Sequence, residues 1–186
     1  MNNNNLEKIT EDIAKLKRIR IVDISHNQIV KLPETYTGWR RVEKVTISHN
    51  QIERLPLGLK NCKRITYFDA SHNQLSISPV AIVGMRHLNY LDLSHNKLIK
   101  VPSGIGNLKE LTKLNLSYNR LEVLNRRFGF ATKLVELDLS HNQLTKLPET
   151  FWKLRQLRYL NLEGNPISDK EKERIKKMLS KAVIVF

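Results

Sequence analysis

The segment Leu137-Asp138-Leu139-Ser140-His141-Asn142-Gln143-Leu144 decides the fold, because close versions of it recur along the chain at steps of 23 residues. Leucine-like residues stand eight, five and three positions before its asparagine and two positions after it. A constant step with fixed apolar positions is typical of a solenoid of stacked coils. The asparagines that mark the step are Asn27, Asn50, Asn73, Asn96, Asn119, Asn142 and Asn165.

Each coil is predicted to contain one short strand, since apolar and polar residues alternate before the asparagine. Strands that repeat in one direction and are joined by long returns stack as a parallel sheet, about 4.8 Å apart. The asparagine side chain turns inward and satisfies backbone groups of its own and the adjacent coil. We therefore interpret the seven asparagines as a structural ladder without a catalytic role.

The returns between strands begin at proline, as Pro148 does within Leu144–Leu154, and continue as irregular or short helical segments with inward apolar residues. Two coils depart from the pattern: Ser78 stands where leucine is expected, and Asn125 replaces the proline. We expect locally different returns at both positions. Cys62 falls at an inward position and is predicted to be a buried small apolar residue.

The two ends of the chain differ from the repeats, and we expect residues 1–18 to form a half-repeat or helical cap, 19–165 the array, and 166–186 a C-terminal cap. Leu6, Ile9, Ile13 and Leu16 have helical spacing, which predicts a short helix over the first coil. The chain starts in mid-coil, either as a natural half-repeat or because an upstream segment is absent.

The C-terminal cap is predicted from a capping box, Ser168 to Glu171, which opens an amphipathic helix. An eighth strand falls due at Ala182–Phe186, and the 23-residue step places Val183 and Val185 inward. A final strand backed by a helix covers the apolar end of the stack.

The pattern LxxLxLSxNxLxxLPxxFxxL, seen at Leu134–Leu154, resembles the leucine-rich repeat proteins of the 23-residue class over nearly the whole chain. Small bacterial members, notably of spirochaetes, end in segments similar to Asn165–Ile175. The resemblance implies an α/β solenoid: a curved, right-handed superhelix with about eight short parallel strands on its concave side and irregular, 3-10 or short helical returns on its convex side. It also implies a non-enzymatic protein-binding module whose partner is a host or bacterial surface protein.

The concave face carries three outward positions per strand, which form columns along the stack. A serine column lies two residues before the asparagine, an acidic or amide column four before, and a variable column six before. Exposed aromatic residues beside charges are typical of binding hot spots. The alternative is that the tyrosines only shield the sheet. The predicted partner-binding surface comprises Lys44, Tyr67, Asp69, Tyr90, Asp92, Lys113, Glu136, Asp138 and Tyr159.

A histidine column and a recurrent Asp-Ser-His set suggest metal binding, pH sensing or hydrolysis, but a simpler interpretation is favoured. The histidines belong to the repeated turn, and a zinc site needs about four converging ligands, which a linear row does not supply. The set around Asp23, Ser25 and His26 recurs in other coils, whereas a catalytic triad needs one unique pocket. We therefore expect neither an enzyme nor a metal or cofactor. The histidines are His26, His49, His72, His95 and His141, with Tyr118 interrupting.

The formal net charge of +14 favours solubility and anionic partners, and basic rows flank the strands. Binding of nucleic acid or another anionic surface through these rows is the alternative function, although no nucleic-acid motif accompanies them. No apolar run reaches the roughly 18 residues that span a bilayer. The location is either the cytoplasm or, with a leader removed, outside it. We expect a monomer, with a weak dimer through the first strand edge as the alternative.

Overall fold

The computed structural model describes residues 2–186 and confirms the predicted solenoid. Eight three-residue strands form one parallel sheet in chain order, each strand paired with the next along the chain. The strands are β1 (Ile21–Asp23), β2 (Lys44–Thr46), β3 (Tyr67–Asp69), β4 (Tyr90–Asp92), β5 (Lys113–Asn115), β6 (Glu136–Asp138), β7 (Tyr159–Asn161) and β8 (Val183–Val185).

The register keeps equivalent residues of successive coils side by side from β1 to β7. The central residue of each strand points into the stack, so that Phe68 pairs with Val45 on one side and Leu91 on the other. All three side chains are buried. The core is consequently a continuous ribbon of apolar side chains that runs the length of the solenoid, as expected for coils that bury surface only against their neighbours.

Short 3-10 helices form most of the returns on the side opposite the sheet. Five successive returns contain five-residue 3-10 helices: Leu57–Asn61, Val80–Gly84, Ser103–Asn107, Arg126–Phe130 and Glu149–Lys153. The coils approach closely here, since a Cβ on Gly106 would collide with the Arg127 carbonyl oxygen. Cys62 is buried as predicted.

The two departures from the repeat change these returns less than predicted. The expectation for Asn125 is wrong: it precedes a 3-10 helix in the same register as its neighbours, and its side chain accepts a hydrogen bond from the Arg127 amide at 2.9 Å. The amide oxygen thus caps the helix start where proline stands elsewhere. At Ser78 the helix span is also kept, but Pro79 has ψ 69°, whereas Pro102 has ψ 136°.

The N-terminal segment follows the path of a coil, and the helix predicted over Leu6 to Leu16 is absent from residues 2–186. Within Leu6 to Leu16, the helical part is a single 3-10 turn at Ile13–Lys15, and Leu16 is 47% exposed. The Leu6 amide donates to Asn27 Oδ1 at 3.1 Å, and Trp39 Nε1 donates to the Ile13 carbonyl at 2.8 Å. These bonds to the first full coil replace the bonds that a helix would have made within itself.

The C-terminal cap consists of helix α1 (Asp169–Met178) followed by β8. Ser168 caps the helix by accepting from the Glu171 amide, as the sequence predicts. The predicted orientation of β8 is wrong: Val183 pairs with Tyr159 and is 66% exposed, and Ile184 takes the inward place beside Leu160. The α-helical return makes the last step 24 residues, and a one-residue shift moves every side chain of a strand to the other face.

Candidate functional site

The asparagines bind backbone groups of two coils and leave the concave face to other residues. Asn96 Nδ2 donates to the carbonyls of Ala70, Leu93 and Ser94 at 3.0, 3.1 and 3.0 Å, and its Oδ1 accepts from the Leu75 amide at 2.9 Å. Asn96 is buried. The same set of bonds recurs at Asn73, Asn119 and Asn142, which fixes the turn that follows each strand.

The serine column is not part of the exposed surface, contrary to the prediction. Ser94 is 4% exposed, and both its amide and its hydroxyl donate to Asp92 Oδ1, at 2.8 and 2.6 Å. Ser71 binds Asp69 in the same way. The acidic column therefore caps the strand ends through one carboxylate oxygen. The second oxygen of Asp92 accepts from the Tyr90 hydroxyl and from Asn115 Nδ2, so this carboxylate is used within the sheet.

The centre of the predicted surface is a pair of stacked tyrosines on β3 and β4. The rings of Tyr67 and Tyr90 lie 4.4 Å apart at an angle of 2°. Lys44 Nζ lies over the Tyr67 ring at 4.6 Å, and the Tyr90 hydroxyl donates to Asp92 Oδ2 at 3.1 Å. Burial, followed by the nearby carboxylates, raises the pKa of both phenols, so they remain neutral donors. The result is a stacked aromatic ledge with a cation at one side and a carboxylate beneath it.

The remaining residues of the predicted surface continue the ledge along the sheet. Lys113 lies beside Tyr90 in the register, and its Nζ forms an ion pair with Glu136 Oε1 at 2.8 Å. Tyr159 follows Glu136 on β7 and is 38% exposed. Asp138 Oδ2 accepts from Asn161 Nδ2 at 3.3 Å. All nine predicted residues lie on the strands of one sheet, but Asp92 is buried, so the other eight form the accessible surface, with Tyr67 and Tyr90 as its largest planar element.

The histidine column forms a continuous stack of rings at the strand ends. Neighbouring rings from His26 to His141, including Tyr118, lie 4.0 to 4.3 Å apart. Each of these residues has φ between 51° and 53°, a left-handed conformation in which histidine is enriched. Burial, then the neighbouring imidazoles, lowers the pKa of His49 and His72. The stack therefore favours the neutral form of these two imidazoles.

Three other features of residues 2–186 concern metal binding, the reactivity of the cysteine and the length of the helices. They contain no group of histidine, cysteine, aspartate or glutamate residues that could hold a metal ion. Burial raises the pKa of the Cys62 thiol to about 12, so the thiol is unreactive. Within the same residues, no helix is long and apolar enough to cross a bilayer.

Comparison with known proteins agrees with this architecture. The family profile described as "Leucine rich repeat" matches residues 40–98, 75–121 and 109–167. The chain belongs to the leucine-rich repeat family. Members of this family serve as scaffolds for protein–protein interaction, and a protein-binding role is the general function that follows. A search of curated protein sequences returned no match.

Two solved structures show the likeness of this leucine-rich repeat chain in detail. A leucine-rich repeat protein of Leptospira interrogans is 32% identical, with a TM-score of 0.85, and the match covers 99% of this chain and 53% of that one. An internalin of Listeria monocytogenes is 22% identical, with a TM-score of 0.79, and the match covers 96% of this chain and 50% of that one. The chain therefore spans about half the length of both proteins, and the second likeness concerns the fold alone.

Sequence reasoning missed one group of exposed residues, around Trp152. The inward spacing that defines the coils gives no information about Trp152 and Phe130, because both occupy outward positions on the returns. Their exposure beside basic residues is visible only once the returns are stacked. The sequence signal for this group is a tryptophan at an outward place of the period, Trp152, followed by Lys153 and Arg155.

Proposed function

We propose that this leucine-rich repeat protein binds a protein partner on its concave face, with Tyr67 and Tyr90 at the centre of the contact. The observation that carries the proposal is the stack of their two rings, held 4.4 Å apart between Lys44 and Asp92. Side chains that are already ordered lose little conformational entropy on binding. Aromatic residues in such settings are enriched among the residues that dominate binding energy.

The chemistry of the surface also indicates what the partner presents. A phenol ring face, a lysine and a carboxylate stand within one contact area, so the partner needs an apolar or cationic group for the rings and a polar rim that answers both charges. Lys113 and Glu136 already neutralise each other across adjacent strands. A host or bacterial surface protein that presents these groups fits the proposal.

The competing function is the binding of nucleic acid or another anionic surface through the basic rows beside the sheet. A net charge of +14 favours it, and stacked basic residues could follow a phosphate backbone. The acidic column in the middle of the sheet opposes it, because the half-buried Asp69 and Asp138 would face the same ligand. Binding that weakens steeply with added salt distinguishes this function from a protein contact.

Affinity capture with the intact chain and two double variants tests the proposal. Tyr67→Ala/Tyr90→Ala removes the ledge, and Leu57→Ala/Val80→Ala removes two exposed apolar side chains at the same coil spacing on the returns. We expect the first variant to lose the captured protein and the second to retain it, with both melting within a few degrees of the parent. Equal capture by the tyrosine variant would refute the assignment of the concave face. Salt-dependent retention of an oligonucleotide would instead support the competing function.

A further inference from the structure

A second surface, on the returns, combines aromatic rings with cations. Trp152 is 52% exposed and Phe130 is 38% exposed, on the returns of adjacent coils. Lys153 Nζ lies 4.3 Å from the Phe130 ring centroid and 5.5 Å from that of Trp152, and Arg155 Cζ lies 5.7 Å from the Trp152 centroid. With Lys181, these residues define the basic aromatic patch: Phe130, Trp152, Lys153, Arg155 and Lys181.

Two grooves flank the Trp152 ring. The first, of about 290 Å³, lies between the ring and the C-terminal cap, with Arg155 and Lys181 among its lining residues. The lining is mixed: Trp152, Met178 and Ala182 offer exposed apolar surface, whereas Leu154, Leu157 and Leu179 are almost fully buried behind it. The second, of about 390 Å³, lies on the side of Lys153 and Gln156. The ring is therefore a ridge, and the first groove has room for a side chain of a bound segment.

The cations of the patch lack a carboxylate partner among the residues that the structure describes. Among residues 2–186, Lys153, Arg155 and Lys181 take part in no ion pair, whereas Lys172 and Arg174 of the neighbouring helix pair with acidic residues of their own turn. Uncompensated positive charge on a chain of net charge +14 attracts carboxylates or phosphates. The groove supplies the apolar part of the contact, and the unpaired cations supply the charged part.

We propose that the basic aromatic patch is a second docking site, and that it takes an acidic peptide segment of a partner. An apolar side chain of the segment enters the groove beside Trp152, and carboxylates on either side of it bind Arg155 and Lys181. Tryptophan and arginine are among the residues most enriched in binding hot spots, and such residues cost most on truncation where the partner's side chains shield them from water. The site lies on the return before β7, apart from the tyrosines of β3 and β4, and does not depend on their function.

The geometry favours a peptide over two other anionic partners. A stacked nucleobase needs a free ring face, and Lys153 and Arg155 already lie over the Trp152 ring. A lipid bilayer requires apolar groups that project beyond the cations. In the patch only Trp152 and Phe130 project, and the exposed apolar surface of Met178 and Ala182 lies in the groove beside Trp152, where a side chain of a peptide can contact it.

A displayed library of random peptides, about twelve residues long so that one segment can span a side-chain pocket and its rim, tests the proposal. The intact chain selects from the library after depletion on the Trp152→Ala variant. We expect selected peptides to carry aspartate or glutamate around one leucine-like or aromatic residue. Their affinity should fall roughly tenfold or more in both Trp152→Ala and Arg155→Gln/Lys181→Gln, and should remain unchanged in Leu57→Ala/Val80→Ala and in Tyr67→Ala/Tyr90→Ala.

Tryptophan fluorescence gives a second readout of the same complex. Trp39 is buried, and Trp152 is the exposed one of the two tryptophans, so a bound segment should shift the emission to shorter wavelength and reduce quenching by acrylamide. A lack of acidic enrichment, or equal affinity for the Trp152→Ala variant, would overturn the proposal. Tighter binding to phosphatidylserine vesicles or to a single-stranded oligonucleotide than to the selected peptides would also overturn it.

Discussion

Replacement of Asn96 by alanine should destabilise the solenoid far more than the loss of one surface amide. The three carbonyls that Asn96 binds each keep another donor: Asn73 on Ala70, Asn119 on Leu93, and the His72 amide on Ser94. The Leu75 amide, whose acceptor is Asn96 Oδ1, is left buried and unpaired. An orphaned buried donor costs about 1–3 kcal/mol. With the weakened carbonyl bonds added, we expect about 2–4 kcal/mol.

Asn165 provides the matched control for this prediction. Its side chain makes the same bonds, to the Leu144 amide and to three carbonyls, but it lies at the edge of the array and is only half-buried. Leu144 is as buried as Leu75, but loss of the half-exposed Asn165 side chain opens a path for water to the Leu144 amide, so Asn165→Ala should cost about 1 kcal/mol. Urea unfolding followed by circular dichroism measures both free energies. Equal costs for the two variants would show that burial of the Leu75 amide does not set the magnitude.

Two further changes should separate the roles of the turn and the return. The pKa of His49 and His72 is lowered in the folded state, so these two neutral imidazoles contribute stability that is present above the unfolded pKa of about 6.5 and lost as the pH falls below it. His49→Asn/His72→Asn should therefore flatten the decline in melting temperature between neutral and mildly acidic pH. An unchanged decline would exclude these histidines as its cause. Gly106→Ala places a methyl group against a backbone carbonyl of the next coil and should cost about 2 kcal/mol, whereas Gly104→Ala meets only a side chain and should cost less in the same urea assay.

The sequence was sufficient for the parts of the fold that repeat. Leu91 and the equivalent residues of the other coils have the same kinds of neighbours, so the place of a residue in the period fixes its strand, its register and its burial. The asparagine ladder follows for the same reason, since the turn needs an amide at one place in each period. The concave position of Tyr67 and Tyr90 is likewise a consequence of phase alone.

Prediction from the period failed where local chemistry overrides it. The α-helical return adds one residue before β8, and this turns Val183 outward although the count places it inward. Ser94 occupies an outward place by count, but its hydrogen bonds to Asp92 pull it into the turn. The groove beside Trp152 depends on how the cap packs against the last coil, a contact that occurs once and has no period.

A photo-crosslink measured in the complex with the captured partner tests the central claim most directly. Lys113 borders Tyr90 on the concave face, and Leu57 is 57% exposed on a return, so p-benzoylphenylalanine at these two positions samples the two faces without altering the tyrosines. We predict a covalent adduct with the partner from position 113 and none from position 57. An adduct from position 57 alone would contradict concave recognition.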